Sequence, residues 1–206
     1  MDNESTFEQN SGFTDAAVQE TTSTKLASLD ILSVNVAELF NDEDCKTILD
    51  GCLEDLWIKS RVVGEKELHS SKRQKIRGEV EGFPFQHIRS ITKQANDEIY
   101  DFRLLGIIDQ DFPQIFKYSE NDYYDWHIDI TPMATTRKMS FIINLSDKSE
   151  YQGGELEFLN TDTSKIDCNT KGSIVIFPSF LTWKINSVTS GEKNIILGHV
   201  HGAIFR

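Results

Sequence analysis

The chain has 206 residues, with 33 acidic against 21 basic side chains and a formal net charge of −12. Such an acidic surface repels phosphates, which argues against broad nucleic-acid or anionic-membrane binding. No stretch is apolar enough for long enough to span a bilayer, and no cationic leader precedes an apolar run, so a soluble, cytoplasmic protein with one sizeable core is expected. The three cysteines, Cys45, Cys52 and Cys168, form an odd set without a CxxC pair, so neither a disulfide framework nor a zinc knuckle is indicated.

In chain order, residues 1–28 are rich in Asn, Glu, Ser, Thr and Gln without a sustained period, which predicts a disordered tail ahead of a domain over 29–206. From Asn41 the run NDEDCKTILDGCLEDLWIK has a capping residue, acids in its first turn and apolar positions at Cys45, Ile48, Leu49, Cys52, Leu56 and Trp57. One amphipathic helix is predicted. Residues 62–82 read as a polar loop. Its basic run KRQKIR at 72–77 is taken as solvated, the alternative being a mobile basic flap near an acidic substrate. A second helix is predicted over 85–102, with Ile88, Ile91, Ala95 and Ile99 on one side. After Asp111 come short β-rich runs: FPQIFKYS, YDWHIDI, KMSFIINLS, GELEFL, GSIVIFP, TWKINSV and KNIILGHVHG. Alternation such as Met139, Phe141, Ile143 and Leu145 predicts a mainly β sandwich or jelly roll, with the helices on one outer face.

The run YDWHID raises a question about a metal. His127 and Asp129 stand two apart, so on an extended strand both leave the same face and could share a divalent ion. Non-haem iron centres use two histidines and one carboxylate on one side of Fe(II), leaving open positions. A second histidine is therefore required.

Taken together, IFKYSENDYYDWHIDI, RKMSFIINLSDKSEYQGGELEF, KGSIVIFPSF and VTSGEKNIILGHVHG resemble the Fe(II)- and 2-oxoglutarate-dependent oxygenases of the prolyl 4-hydroxylase-like class. The likeness runs from about Leu39 to Arg206 and is dense from Ala95 onward. It implies a double-stranded β-helix, Fe(II) as cofactor and 2-oxoglutarate as cosubstrate, with a peptide or protein as substrate. By position, His127 and Asp129 match the first two metal ligands. Lys193 matches the cation that pairs with the distal carboxylate of 2-oxoglutarate. Tyr118 matches a tyrosine lying against the cosubstrate, and Tyr124 is expected at the mouth; either is also explained as an aromatic packed in a β core with its hydroxyl satisfied.

The resemblance breaks at one position. Counting from the FPS motif and back from Lys193, the second histidine falls on Trp183, whose indole nitrogen is a donor only and cannot ligate. A hairpin of residues 182–188 with 193–201, turning near Ser190, would set His199 diagonally beside Trp183, on Lys193's face. His199 as substitute ligand, a two-ligand or degenerate site, and a different strand placement stay open. His201 is read as a strand-end residue, His69 as a loop residue and His87 as a helix-surface residue. Two functions follow: an oxygenase that hydroxylates a prolyl or other peptide side chain, or a non-catalytic β-helix module acting through a protein partner. Retention of His127, Asp129 and Lys193 favours the enzyme.

Overall fold

The computed structural model describes residues 28–30, 33–60, 69–78, 82–159, 166 and 168–204. The polar segment expected at 1–28 lies outside these residues except for Ser28, which opens the first strand.

Strands β1 (Ser28–Asp30) and β2 (Ser33–Val36) lead into helix α1 (Asp42–Asp50). Asn41 caps α1 reciprocally: its side chain accepts from the Asp44 N–H at 2.9 Å, and the Asp44 carboxylate accepts from the Asn41 N–H at 3.1 Å. The helix is shorter than the sequence pattern predicts. Gly51 ends it, and the Leu53 N–H is taken by the Gln74 side chain at 3.1 Å, so Leu56 and Trp57 leave the helical path. Strand β3 (Ile58–Lys59) follows.

The region read as loop contains two strands instead, β4 (His69–Ser70) and β5 (Lys72–Lys75). Helix α2 (Phe85–Ala95) continues through a wider turn at Asn96–Tyr100 and stops at Asp101, whose φ of 49° is left-handed. Then come β6 (Leu104–Gly106), β7 (Gln114–Tyr118), β8 (Tyr123–His127), β9 (Arg137–Asn144), β10 (Tyr151–Gly153) and β11 (Leu156–Phe158). The chain closes with β12 (Ile174–Pro178), β13 (Trp183–Ile185), β14 (Val188–Gly191) and β15 (Lys193–Gly202).

The major sheet runs β1-β2-β12-β9-β15-β7-β5-β3, with β6 also on β15; a minor sheet runs β11-β13-β8-β4, and β10 pairs with β14. β5 is a strand because β7 supplies its ladder, Arg73 opposite Phe116 and Lys72 opposite Lys117. Tertiary pairing overrides the weak strand propensity of KRQK.

Alternation along each strand divides the apolar side chains between two cores. Ile115, Phe141, Ile143, Ile174, Ile176 and Ile196 face the helices and bury Cys45, Ile48, Phe85, Ile88 and Ile91. Phe116, Ile142, Val175, Phe177, Ile195 and Leu197 face inward against Leu156, Phe158, Trp183 and Ile185 of the minor sheet. The result is the expected jelly roll with helices on one outer face. Among the described residues, no helix is long and apolar enough to cross a membrane.

The hairpin expected near Ser190 does not form. β13 pairs with β8 and β11, whereas β15 pairs with β9, β7 and β6. Between them β14 pairs with β10, so the chain changes sheets rather than folding back.

Candidate active site

Strand β8 lies inside the minor sheet, between β13 and β4. Its ladder with β13 places His127 directly opposite Trp183, with ring centroids 4.2 Å apart. β8 ends at His127, and Asp129 lies just beyond it, its N–H donating to the Ser179 carbonyl at 3.1 Å. The expected continuous strand is therefore interrupted, but both side chains still converge.

Their hydrogen bonds leave one donor atom free on each residue. The His127 Nδ1–H donates to the Asp125 carbonyl at 2.7 Å, fixing the tautomer so that Nε2 carries a lone pair. That Nε2 is buried without a hydrogen-bond partner and lies 3.6 Å from Asp129 Oδ1. Asp129 Oδ2, in contrast, accepts from Ser140 Oγ at 2.6 Å and from the Trp183 indole at 2.9 Å. Burial by itself would raise the Asp129 carboxyl; the neighbouring His199 and His127 and the Ser140 hydroxyl hold it well below the usual carboxylate range. At metal–ligand distances of about 2.0–2.2 Å, one divalent ion reaches both His127 Nε2 and Asp129 Oδ1.

These two side chains fit a metal; a third does not join them. Among the described residues no group of three His, Cys, Asp or Glu converges on one point. His199 is buried and faces inward, as its shared parity with Lys193 requires. Its Nδ1 lies 3.1 Å from Ser140 Oγ, which in turn donates to Asp129 Oδ2. Burial pushes His199 down to about 4, leaving the imidazole neutral.

On the other side of His127 is a stack of rings. Tyr124 lies 3.6 Å from His127 and 3.8 Å from His69, both nearly parallel to it. His69, read from sequence as a loop residue, is buried, and its Nε2 meets the Tyr118 hydroxyl at 3.0 Å and Ser71 Oγ at 2.9 Å. Desolvation, with help from His127 and Arg73, pushes it down to about 3. Tyr118 pairs across the ladder with Lys193. Lys193 is 2% exposed, and its Nζ donates to the Gly154 carbonyl at 2.6 Å. Desolvation lowers it to about 8. The GG of the GGELEF run shapes this corner: Gly153 has a φ of +74°, and a Cβ there would lie 2.3 Å from the Ser187 carbonyl oxygen.

A cavity of about 140 Å³ opens beside Asp129 and His199, walled by Tyr124, His69, Phe112, Phe116 and Leu197. Asp111, Gln114, Arg73 and Arg137 also line it. Arg137 holds Asp111 with two bonds, at 2.6 and 2.9 Å, and donates to the Asp129 carbonyl at 3.1 Å. His201 stands at the end of β15, as expected, and is buried between Asp111 and Thr136 at 3.0 and 2.9 Å. His87 is exposed on α2, as expected. Sequence reasoning passed over Asp111, Arg137 and Ser140, read His69 as a loop residue and reached Arg73 only as part of the basic run at 72–77. The one available signal was the charge run at 72–77.

The sequence profile of the 2OG-Fe(II) oxygenase superfamily matches residues 113–201. A PKHD-type hydroxylase of Prochlorococcus marinus (strain MIT 9515) is 36% identical over 92 residues, 43% of this chain and 40% of the relative. One from Synechococcus sp. (strain CC9902) is 32% identical over 122 residues, 56% of this chain and 54% of the relative. The chain thus spans about half the length, or less, of the curated relatives it matches. Among solved structures, a viral collagen prolyl hydroxylase from Paramecium Bursaria Chlorella virus-1 aligns with a TM-score of 0.61 at 18% identity, over 84% of this chain and 97% of that one. A Pseudomonas putida prolyl-4-hydroxylase aligns with a TM-score of 0.62 at 15% identity, over 83% and 92%. At those identities the likeness concerns the fold. Residues 113–201, which carry His127, Asp129, Trp183 and Lys193, are thus similar to the 2OG-Fe(II) oxygenase superfamily.

Proposed function

We propose that the protein is a 2-oxoglutarate-dependent non-haem iron oxygenase that hydroxylates a peptide or amino-acid side chain such as proline. The observation that carries this reading is the pair His127 Nε2 and Asp129 Oδ1, 3.6 Å apart, the imidazole nitrogen buried and unpartnered. An orphaned buried acceptor costs free energy unless something else occupies it. Fe(II) bound there would supply the redox chemistry that activates oxygen and consumes 2-oxoglutarate.

The chain's own contribution is positioning and exclusion of water. Asp125 holds the imidazole tautomer, and Ser140 and Trp183 hold one carboxylate oxygen so that the other faces His127. Lys193 is the residue assigned to the distal carboxylate of 2-oxoglutarate, because a desolvated ammonium with one carbonyl partner gains most from a counterion. Trp183 leaves the seat with fewer protein ligands than the three that usually hold Fe(II) in such enzymes. Aerobic assay of the full chain with Fe(II) and 2-oxoglutarate tests the proposal: succinate should form in the wild type and not in Asp129→Ala. Equal succinate in both, or none in either, would overturn it.

A further inference from the structure

Arg73 is the unmatched charge in the cavity beside Asp129. Its Nη1 donates to Gln114 Oε1 at 3.1 Å, while its Nε is buried with no partner. The cavity's two carboxylates are already engaged, Asp111 by Arg137 and His201, and Asp129 by Ser140 and Trp183. His69 and His199 are neutral by burial, and Arg137 is balanced by Asp111. Among the described residues, Arg73 is left without a carboxylate. A partly desolvated guanidinium in that position favours an incoming anion, and its planar fork suits a carboxylate.

Geometry sets the side from which that anion comes. Arg73 and Phe116 are ladder partners, so Arg73 shares the inward face with Phe116. Arg73, Tyr124, Asp129 and His199 line the same cavity. Lys193 lies elsewhere, next to Tyr118 and Gly154.

We propose that Arg73 anchors a carboxylate of the substrate, so that the enzyme prefers a target residue next to Asp or Glu. The inference rests on the oxygenase reading for the word substrate, but its test does not require turnover. Full-length, EDTA-treated protein is titrated with capped Pro-Asp and Pro-Glu dipeptide amides and with their Pro-Asn and Pro-Gln counterparts. The Nε–H signal of Arg73 is followed by ¹⁵N-correlated NMR, assigned by its loss in Arg73→Lys. The acidic probes should shift that signal saturably and bind roughly tenfold or more tighter than the neutral ones, the scale of a charge-assisted hydrogen bond. Arg73→Gln should remove the preference, Arg73→Lys should retain part of it, and both should bind 2-oxoglutarate as the wild type does. Equal binding of acidic and neutral probes, no saturable binding of either, or loss of 2-oxoglutarate in Arg73→Gln would overturn the assignment. Arg73-dependent binding in a protein that forms no succinate would instead overturn the oxygenase reading alone.

Discussion

The indole N–H of Trp183 donates to Asp129 Oδ2 over 2.9 Å. A group that cannot ligate a metal thus stands beside the carboxylate and holds it, where the family resemblance calls for an imidazole. The exchange keeps the carboxylate oriented while removing a ligand. It also keeps bulk, since Trp183 packs against Tyr124 and Phe177 with centroids 5.3 and 5.7 Å away.

Restoring the imidazole should therefore strengthen the metal seat at a cost in packing. Trp183→His is expected to raise Mn(II) affinity roughly tenfold, about 1.4 kcal/mol. The smaller ring in a fully buried position should lower unfolding stability by about 2–4 kcal/mol. Calorimetric titration with a parallel melt checks both, and unchanged affinity in a folded variant would contradict the first.

His199 tests the opposite idea, that the displaced imidazole took over as ligand. Its bond to Ser140 makes it a support for Asp129, so His199→Ala should leave Mn(II) affinity within about threefold of wild type, a change of less than about 0.7 kcal/mol. His127→Ala should abolish specific binding. Equal losses in the two variants would show His199 to be a ligand.

Lys193 gives a pH dependence of known sign. Its folded pKa of about 8 lies below the ordinary 10.5, so between those values the unfolded chain holds a proton that the folded chain has released. Stability should rise with pH across that window, on the order of 3 kcal/mol in total, relative to a Lys193→Met variant measured alongside. Below pH 8 the difference should be constant. Urea melts at pH 7.5, 9 and 10.5 decide this, and parallel curves would mean that the ammonium is solvated after all.

Where the sequence was legible, local alternation made it so. Met139, Phe141, Ile143 and Leu145 announced a strand whose faces serve separate cores, and the inward parity of His199 follows from the unbroken ladder of β15 up to Val200. The hairpin failed for a different reason. Alternation fixes which residues share a face but not which sheet receives them, and Val188 pairs with Gly153 before the chain enters the major sheet. His69 and Arg73 were illegible because their segment has no period; both take their places from partners far away, His69 from Tyr118 and Tyr124, Arg73 from Phe116. Helix α1 was overextended because the apolar spacing continues past Gly51 while the backbone does not.

The most direct test of the central claim, a divalent metal held by His127 and Asp129, is an anaerobic titration of Fe(II) and then 2-oxoglutarate, followed by visible absorption. The wild type should develop the weak charge-transfer band of a chelated Fe(II)–2-oxoglutarate complex at one equivalent of each. His127→Ala and Asp129→Ala should show none at the same concentrations. A band of undiminished intensity in both variants would contradict the assignment and move the metal away from β8.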